Sequence, residues 1–213
     1  MNIKTSFISY ICNQITNIEV KMVLEIRLSN MFSFRDEVTL DLQAAKIQTK
    51  KARELEGNLF SVDGEQMLKS VALFGANASG KSNVIKAIRA CVNMVRSSHN
   101  YNVDTRFAII HEGKMFLVDE IDNSLHTQLV EFVIGMFNHS DHAQLIYTTQ
   151  NTHLLNTDFQ RRDQVYFVNK REDGSSDLYS LFDFKDFRDT LDMEKAYLQG
   201  RFDAIPTISN LTI

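Results

Sequence analysis

A chain of 213 residues, 44% hydrophobic and 23% charged, with a formal net charge of −4, can bury one good core, or one core with a small subdomain. Its mild acidity gives no global attraction to nucleic acid, so DNA contact would need a local basic patch, and no apolar run approaches the length of a membrane span. The two cysteines, Cys12 and Cys91, lie far apart without metal-type spacing, which points to a reducing, cytoplasmic setting.

Residues 1–21 hold an apolar-leaning run, Phe7-Ile8-Ser9-Tyr10-Ile11-Cys12, interrupted downstream by Asn13, Gln14 and Asn17. No small-residue cleavage site follows, so a signal peptide fits poorly. The segment reads as an extension upstream of an organised chain that begins at Met22. Met22 to Asn30 alternates apolar and polar residues, as does Glu37 to Leu42, which predicts two strands each with one wet face. Between them, Met31 to Asp36 reads as a turn carrying two exposed aromatics, Phe32 and Phe34, so the chain opens on a β-hairpin. Residues 43–66 are mixed and polar, punctuated by Gly57 and Gly64, and read as a loop or short strands.

Lys69 to Phe74 reads as a buried strand and Asn83 to about Arg96 as a helix. Ser97 to Tyr101 reads as a loop, and Arg106 to Ile110 as a short apolar segment of undefined type. Lys114 to Val118 is an apolar strand. A helix follows from about Ser124 to Phe137, with Leu125, Leu129, Phe132, Val133 and Met136 on one stripe. Asn138-His139-Ser140-Asp141-His142 reads as a solvated turn at its end rather than a metal site. Gln144 to Thr148 is another buried strand. Val165 to Val168 and Asp177 to Leu181 are two more, joined by the turn Glu172 to Ser175. The mixed-sign runs Arg161-Arg162-Asp163 and Lys170-Arg171-Glu172 read as solvated loops, and Phe182 to Phe187 as an aromatic edge packed on the core. Strands alternating with helices predict an α/β sandwich around a mostly parallel sheet, with an antiparallel hairpin subdomain at its N-terminus.

Between the strand ending at Phe74 and the helix from Asn83 stands Gly75-Ala76-Asn77-Ala78-Ser79-Gly80-Lys81-Ser82. It fits G-x-x-x-x-G-K-[ST], the phosphate-binding P-loop, in the strand–turn–helix context that the motif requires. Glycines at 75 and 80 let backbone approach phosphate oxygens without a Cβ in the way. Successive N–H groups form a nest, and the helix start adds partial positive charge. Lys81 would reach the β- and γ-phosphates, and the Ser82 hydroxyl would ligate Mg²⁺.

Downstream, the strand Lys114-Met115-Phe116-Leu117-Val118 ends in Asp119-Glu120, the pattern called Walker B. An aspartate there holds Mg²⁺, and a following glutamate is placed to polarise a water. Asp119 is the candidate on the metal side and Glu120 the candidate general base.

From Met22 to residue 208 the chain resembles the AAA/ABC-type ATPases of the bacterial anti-phage, abortive-infection-like group, relatives of the OLD, SMC and RecF ATPases. The resemblance rests on Ser29 to Phe34, Phe74 to Asn83, Val118 to His126, Gln144 to Asn151, and the tail from Arg161 to Phe167 and from Tyr197 to Pro206. It implies one P-loop ATPase domain over residues 22–208, with a tail at 209–213. It also implies that ATP and Mg²⁺ are the ligands, held by residues 75–83, with Ser82 and Asp119 on the metal. An ATP-dependent homodimer and a separate effector of nuclease type follow as partners, and His126 would lie near the dimer interface.

Two departures qualify the resemblance. Only 38 positions separate Lys81 from Asp119, and no Leu-Ser-x-Gly signature lies between them. The family's helical lobe is missing, with a junction between about His99 and His111. Gln150 stands where the family has a switch histidine, and glutamine can hydrogen-bond a water but not take its proton. Binding of Mg-ATP is therefore expected with weak or no hydrolysis. Two functions stay open: the ATPase subunit of a phage-defence or DNA-processing system, or a degenerate, non-hydrolysing nucleotide-binding interaction module.

Overall fold

The alternation at the N-terminus becomes two short antiparallel strands, β1 (Glu25–Leu28) and β2 (Val38–Asp41), in register from Glu25 opposite Asp41 to Leu28 opposite Val38. The structure, a computed structural model, describes residues 23–62, 64–96, 107–110, 115–123, 125–140, 143–156, 158–185 and 191–205. Residues 1–21, the junction expected between 99 and 111 (apart from 107–110) and the tail at 209–213 lie outside that description. In the turn after β1, Met31 and Phe34 exchange backbone hydrogen bonds at 3.0 Å each. Phe32 is 59% exposed, as expected, but Phe34 is fully buried in the core. This corrects the reading of two wet aromatics: the two lie on either side of a tight turn, so one points out and the other in.

The segment read as loop or short strands contains both strand and helix. One turn of helix, α1 (Lys50–Glu54), is capped by the Thr49 side chain, which accepts the Ala52 amide. β3 (Leu59–Val62) and β4 (Glu65–Leu68) then form an antiparallel hairpin. A five-residue helix is too short to show a 3.6-residue period, and it exists only where tertiary contacts hold it.

The central elements follow: β5 (Ser70–Phe74), α2 (Lys81–Arg96), β6 (Phe107–Ile110), β7 (Met115–Val118), α3 (Thr127–Asn138), β8 (Gln144–Thr148), β9 (Val165–Lys170), β10 (Ser176–Ser180) and α4 (Met193–Leu198). Among the described residues they build one six-stranded sheet in the order β10-β9-β5-β8-β7-β6. The four inner strands run parallel, and each edge strand is antiparallel to its neighbour. This is the α/β, P-loop NTPase-type sandwich with an N-terminal antiparallel hairpin that the sequence predicted.

β5 is buried along its whole length, so its side chains alternate between two cores. Val71 and Leu73 join Val84, Ile85, Ala87 and Ile88 of α2 and the inward residues of β1 to β4. Ala72 and Phe74 join Val130 and Ile134 of α3 with Tyr197 and Phe202. Each large apolar side chain so placed contributes about 1.5–3 kcal/mol. Of the expected aromatic edge, Phe184 packs edge-on against Phe167 and Phe202, whereas Phe182 is exposed and Phe187 lies outside the described residues.

Two further expectations are corrected. Of the stripe read on the post-Walker B helix, Leu125, Leu129, Phe132 and Met136 are exposed and only Val133 packs against the core; α3 turns Val130 and Ile134 inward instead. Arg161 and Asp163, read as a solvated loop, are buried as an ion pair. No helix among the described residues is long and apolar enough to cross a membrane.

Candidate functional site

β5 delivers the chain to a tight loop that re-enters as α2, and neighbouring elements dictate its two glycines. A Cβ on Gly75 would stand 2.2 Å from the Val168 carbonyl oxygen of β9. Gly80 has φ +115, and a Cβ there would meet Ser176 Oγ at 2.4 Å and Ser33 Oγ at 2.8 Å. At Gly75 the obstacle is backbone, so packing requires glycine there; at Gly80 it is two serine hydroxyls, and the positive φ favours glycine as well. Ala78 between them takes the left-handed region at φ 61.

The loop closes on itself through Ser79 N to Ala76 O at 3.2 Å, while Asn83 N and Val84 N donate to Gly80 O. No backbone carbonyl among the described residues accepts from the amides of Ala78, Gly80, Lys81 or Ser82. These are donors at the head of a 16-residue helix, where partial positive charge collects. Ser79 Oγ is buried and has no hydrogen-bond partner among the described residues. A buried orphan hydroxyl is costly unless a ligand completes it.

Lys81 is mostly buried and folds back over the loop, with Nζ donating to Gly75 O at 2.8 Å and Ala76 O at 3.0 Å. Burial lowers its pKa below the usual lysine value, against the opposing pull of Asp119, Glu120 and Asp122. Ser82 Oγ donates to Asp119 Oδ1 at 3.0 Å. The loop serine and the aspartate after β7 are thus in direct contact although 37 positions apart.

Topology explains that contact. β8 lies between β5 and β7, so its C-terminal end, Thr148 to Gln150, emerges between the loop and the carboxylates. Thr148 Oγ1 bonds Asp119 Oδ1 and the Glu120 amide. Glu120 is exposed and left-handed, φ 52. Gln150 Nε2 reaches its Oε1 at 3.4 Å. Ser82, Asp119, Glu120 and Gln150, each singled out from sequence, are therefore linked through Thr148, and Lys81 feels the charge of both carboxylates.

Asn83 is engaged elsewhere: its Nδ2 donates to Ser33 Oγ at 2.9 Å. Ser33 and Ser176 are site residues that sequence reasoning missed. Ser176 Oγ lies 2.8 Å from Ser33 Oγ and 2.6 Å from the Ser79 carbonyl oxygen, and Ser176 N donates to Ser33 O at 2.7 Å. The hairpin turn and the start of β10 so brace the loop from outside. Sequence separations of 50 and 97 positions hide these contacts, although Ser33 itself lies in the Ser29 to Phe34 stretch that carries the resemblance. Phe34 lies in the core, and Arg35 pairs with Asp36 and Asp173. His126 caps α3, its Nδ1 accepting the Gln128 amide.

Free amides at a helix head suit an anion, and a hydroxyl beside a carboxylate suits a hard cation. A family model described as an AAA domain, putative AbiEii toxin of a type IV toxin–antitoxin system, matches residues 104–156. That stretch is similar to the family over Asp119, Glu120, α3, β8 and Gln150, and it leaves out the loop at 75–82. Neither the curated proteins nor the solved structures gave a match to this chain.

Proposed function

We propose that this chain binds Mg-ATP in the Gly75–Ser82 loop and hydrolyses it slowly or not at all. Similarity of residues 104–156 to an AAA domain, on a P-loop-type sheet, supports nucleotide binding of the P-loop ATPase kind. One observation carries the assignment: Ser82 and Asp119, from two separate motifs, meet at 3.0 Å where a cation would sit beside the loop. The free amides of Ala78, Gly80, Lys81 and Ser82 would hold phosphate oxygens, and Lys81 would exchange the Gly75 and Ala76 carbonyls for the β- and γ-phosphates. The resident ion would be Mg²⁺, which neutralises phosphate charge when bound; Ser82 and Asp119 would hold it.

For turnover, Glu120 is the group placed to take a proton from water, and Gln150, bonded to it, can orient that water without accepting the proton. A phosphoryl-stabilising donor supplied by another subunit is worth about 10³–10⁵ in rate in related chemistry. The short interval between loop and carboxylates leaves no segment to provide one, which favours binding over catalysis. The family description names a toxin–antitoxin system, so a protein partner belongs to the reading. In it the chain is the nucleotide-responsive subunit of a phage-defence or DNA-processing assembly, dimerising on ATP and controlling a separate effector of nuclease type. The alternative, a non-hydrolysing interaction module, is favoured by the same short interval.

Titration with a fluorescent ATP analogue in magnesium tests the assignment. Lys81→Ala, which removes a charged hydrogen-bond donor worth about 1.5–3 kcal/mol, should weaken binding on the order of 10–100-fold. Unchanged affinity would sink it. Brisk turnover abolished by Glu120→Gln would overturn the expectation of weak hydrolysis. Light scattering separates the two roles: ATP-dependent dimers support the switch subunit, permanent monomers the module.

A further inference from the structure

One side chain at the end of β8 touches both carboxylate residues of the site. Thr148 is fully buried. Its Oγ1 donates to Asp119 Oδ1 at 2.6 Å and accepts the Glu120 amide at 2.7 Å. A hydroxyl carries one proton and two lone pairs, so both bonds form together, with the proton directed to the carboxylate. The parallel register, Val118 opposite Tyr147, brings residue 148 level with residue 119.

Ser82 Oγ approaches the same Oδ1 from the loop side at 3.0 Å. Two hydroxyls on one oxygen fix the rotation of the Asp119 carboxylate, and neither bond uses Oδ2. The second bond acts on the backbone. Glu120 sits at φ 52, a conformation that a residue with a Cβ adopts only when its surroundings hold it there. Thr148 holds it at two successive amides, with Oγ1 on Glu120 N and its carbonyl on Ile121 N at 3.0 Å. A hydrophobic β-branched residue would serve a buried strand end equally well for packing, but only a hydroxyl can make the two side-chain bonds.

The geometry points to Thr148 as a positioning residue: its hydroxyl aims the Asp119 carboxylate at the cation position and locks the backbone that presents Glu120. This rests on the Mg-ATP reading above. Ligand-orienting partners of this kind typically change metal affinity by about 10–100-fold when removed.

The test is equilibrium binding of a fluorescent ATP analogue, in magnesium and in EDTA, for wild type, Thr148→Val, Thr148→Ala and Thr148→Ser. Wild type should bind more tightly in magnesium. Thr148→Val and Thr148→Ala should lose about tenfold of that enhancement while affinity in EDTA stays unchanged, and Thr148→Ser, which keeps the hydroxyl, should retain it. Thermal unfolding without nucleotide shows which variants fold; if the valine variant does not, the alanine–serine contrast decides. Full magnesium enhancement in the variants lacking the hydroxyl overturns the inference and leaves the Mg-ATP reading standing. So does an equal loss in magnesium and EDTA across all three variants, which marks a purely structural residue. Wild type that binds in neither condition overturns both.

Discussion

Two arginine–aspartate assemblies tie the N-terminal segment to the second half of the chain, and they do so in opposite environments. Arg161 and Asp163 are 5% and 4% exposed. Arg161 forks onto the two carboxylate oxygens at 3.0 and 2.8 Å, and its other donors reach the carbonyls of Ala52 and Ala45 at 3.3 and 3.1 Å. Asp163 in turn accepts the Ala45 amide at 2.8 Å. At the surface, Arg35 pairs with Asp173 and Asp36, and Arg171 with Asp36 and Asp177. Arg161-Arg162-Asp163 and Lys170-Arg171-Glu172 look alike as charge runs. What separates them is whether folded backbone supplies acceptors for every donor, because an arginine enters the interior only when its donors are met.

Breaking the buried pair is the largest test of that difference. Arg161→Ala strands the Asp163 carboxylate and removes two ties to the segment around α1. A loss of about 3–5 kcal/mol is expected in urea unfolding, with α1 the first element to lose amide protection. A loss below about 1 kcal/mol, the range of surface pairs, would mean that the pair is solvated after all.

The same contrast exists within one helix. In α3, Ile134 is fully buried and Phe132 is 63% exposed. Ile134→Ala should cost about 2–5 kcal/mol, whereas Phe132→Ala should change stability by no more than about 0.5 kcal/mol. Reversed magnitudes would restore the stripe expected from sequence. That stripe went wrong for a physical reason. Thr127-Gln128-Leu129-Val130-Glu131-Phe132-Val133-Ile134-Gly135-Met136-Phe137-Asn138 is apolar nearly all round, so a helical period fits two registers, and only contact with the sheet selects one. In α2, by contrast, the exposed Lys86 marks the wet side.

The site was legible where chemistry is local. The loop's glycines, Lys81 and Ser82 are fixed by an eight-residue spacing, and Asp119-Glu120 by the end of an apolar strand. The sheet was legible from buried strands alternating with helices. Ser33, Ser176 and Thr148 were not, since what they do depends on strand order. β8 must lie between β5 and β7, and β10 beside β9, before those hydroxyls reach the loop or the carboxylates. The burial of Phe34 and Arg161 belongs to the same class, being decided by partners distant in sequence.

The smallest expected effect lies on the exposed side of the comparison, and its sign can be worked out. Asp173 is held at about 2, chiefly by the Ser175 hydroxyl and amide and secondarily by Arg35. Those Ser175 bonds are 2.6 and 2.9 Å long. A carboxylate whose folded pKa lies below its ordinary value of 3.8 contributes stability that is complete above that value. The contribution disappears as pH falls through about 2, the folded value. The stability difference between wild type and Asp173→Asn should therefore shrink across that window and be flat above it. The cause can be apportioned by carboxyl titration in NMR. Ser175→Ala should raise the Asp173 pKa more than Arg35→Ala does, and only the arginine's share should fade with added salt, because screening acts on exposed charges. If Arg35→Ala produced the larger shift, the ion pair rather than the turn would be holding Asp173, and the surface assembly would resemble the buried one more closely than its exposure suggests.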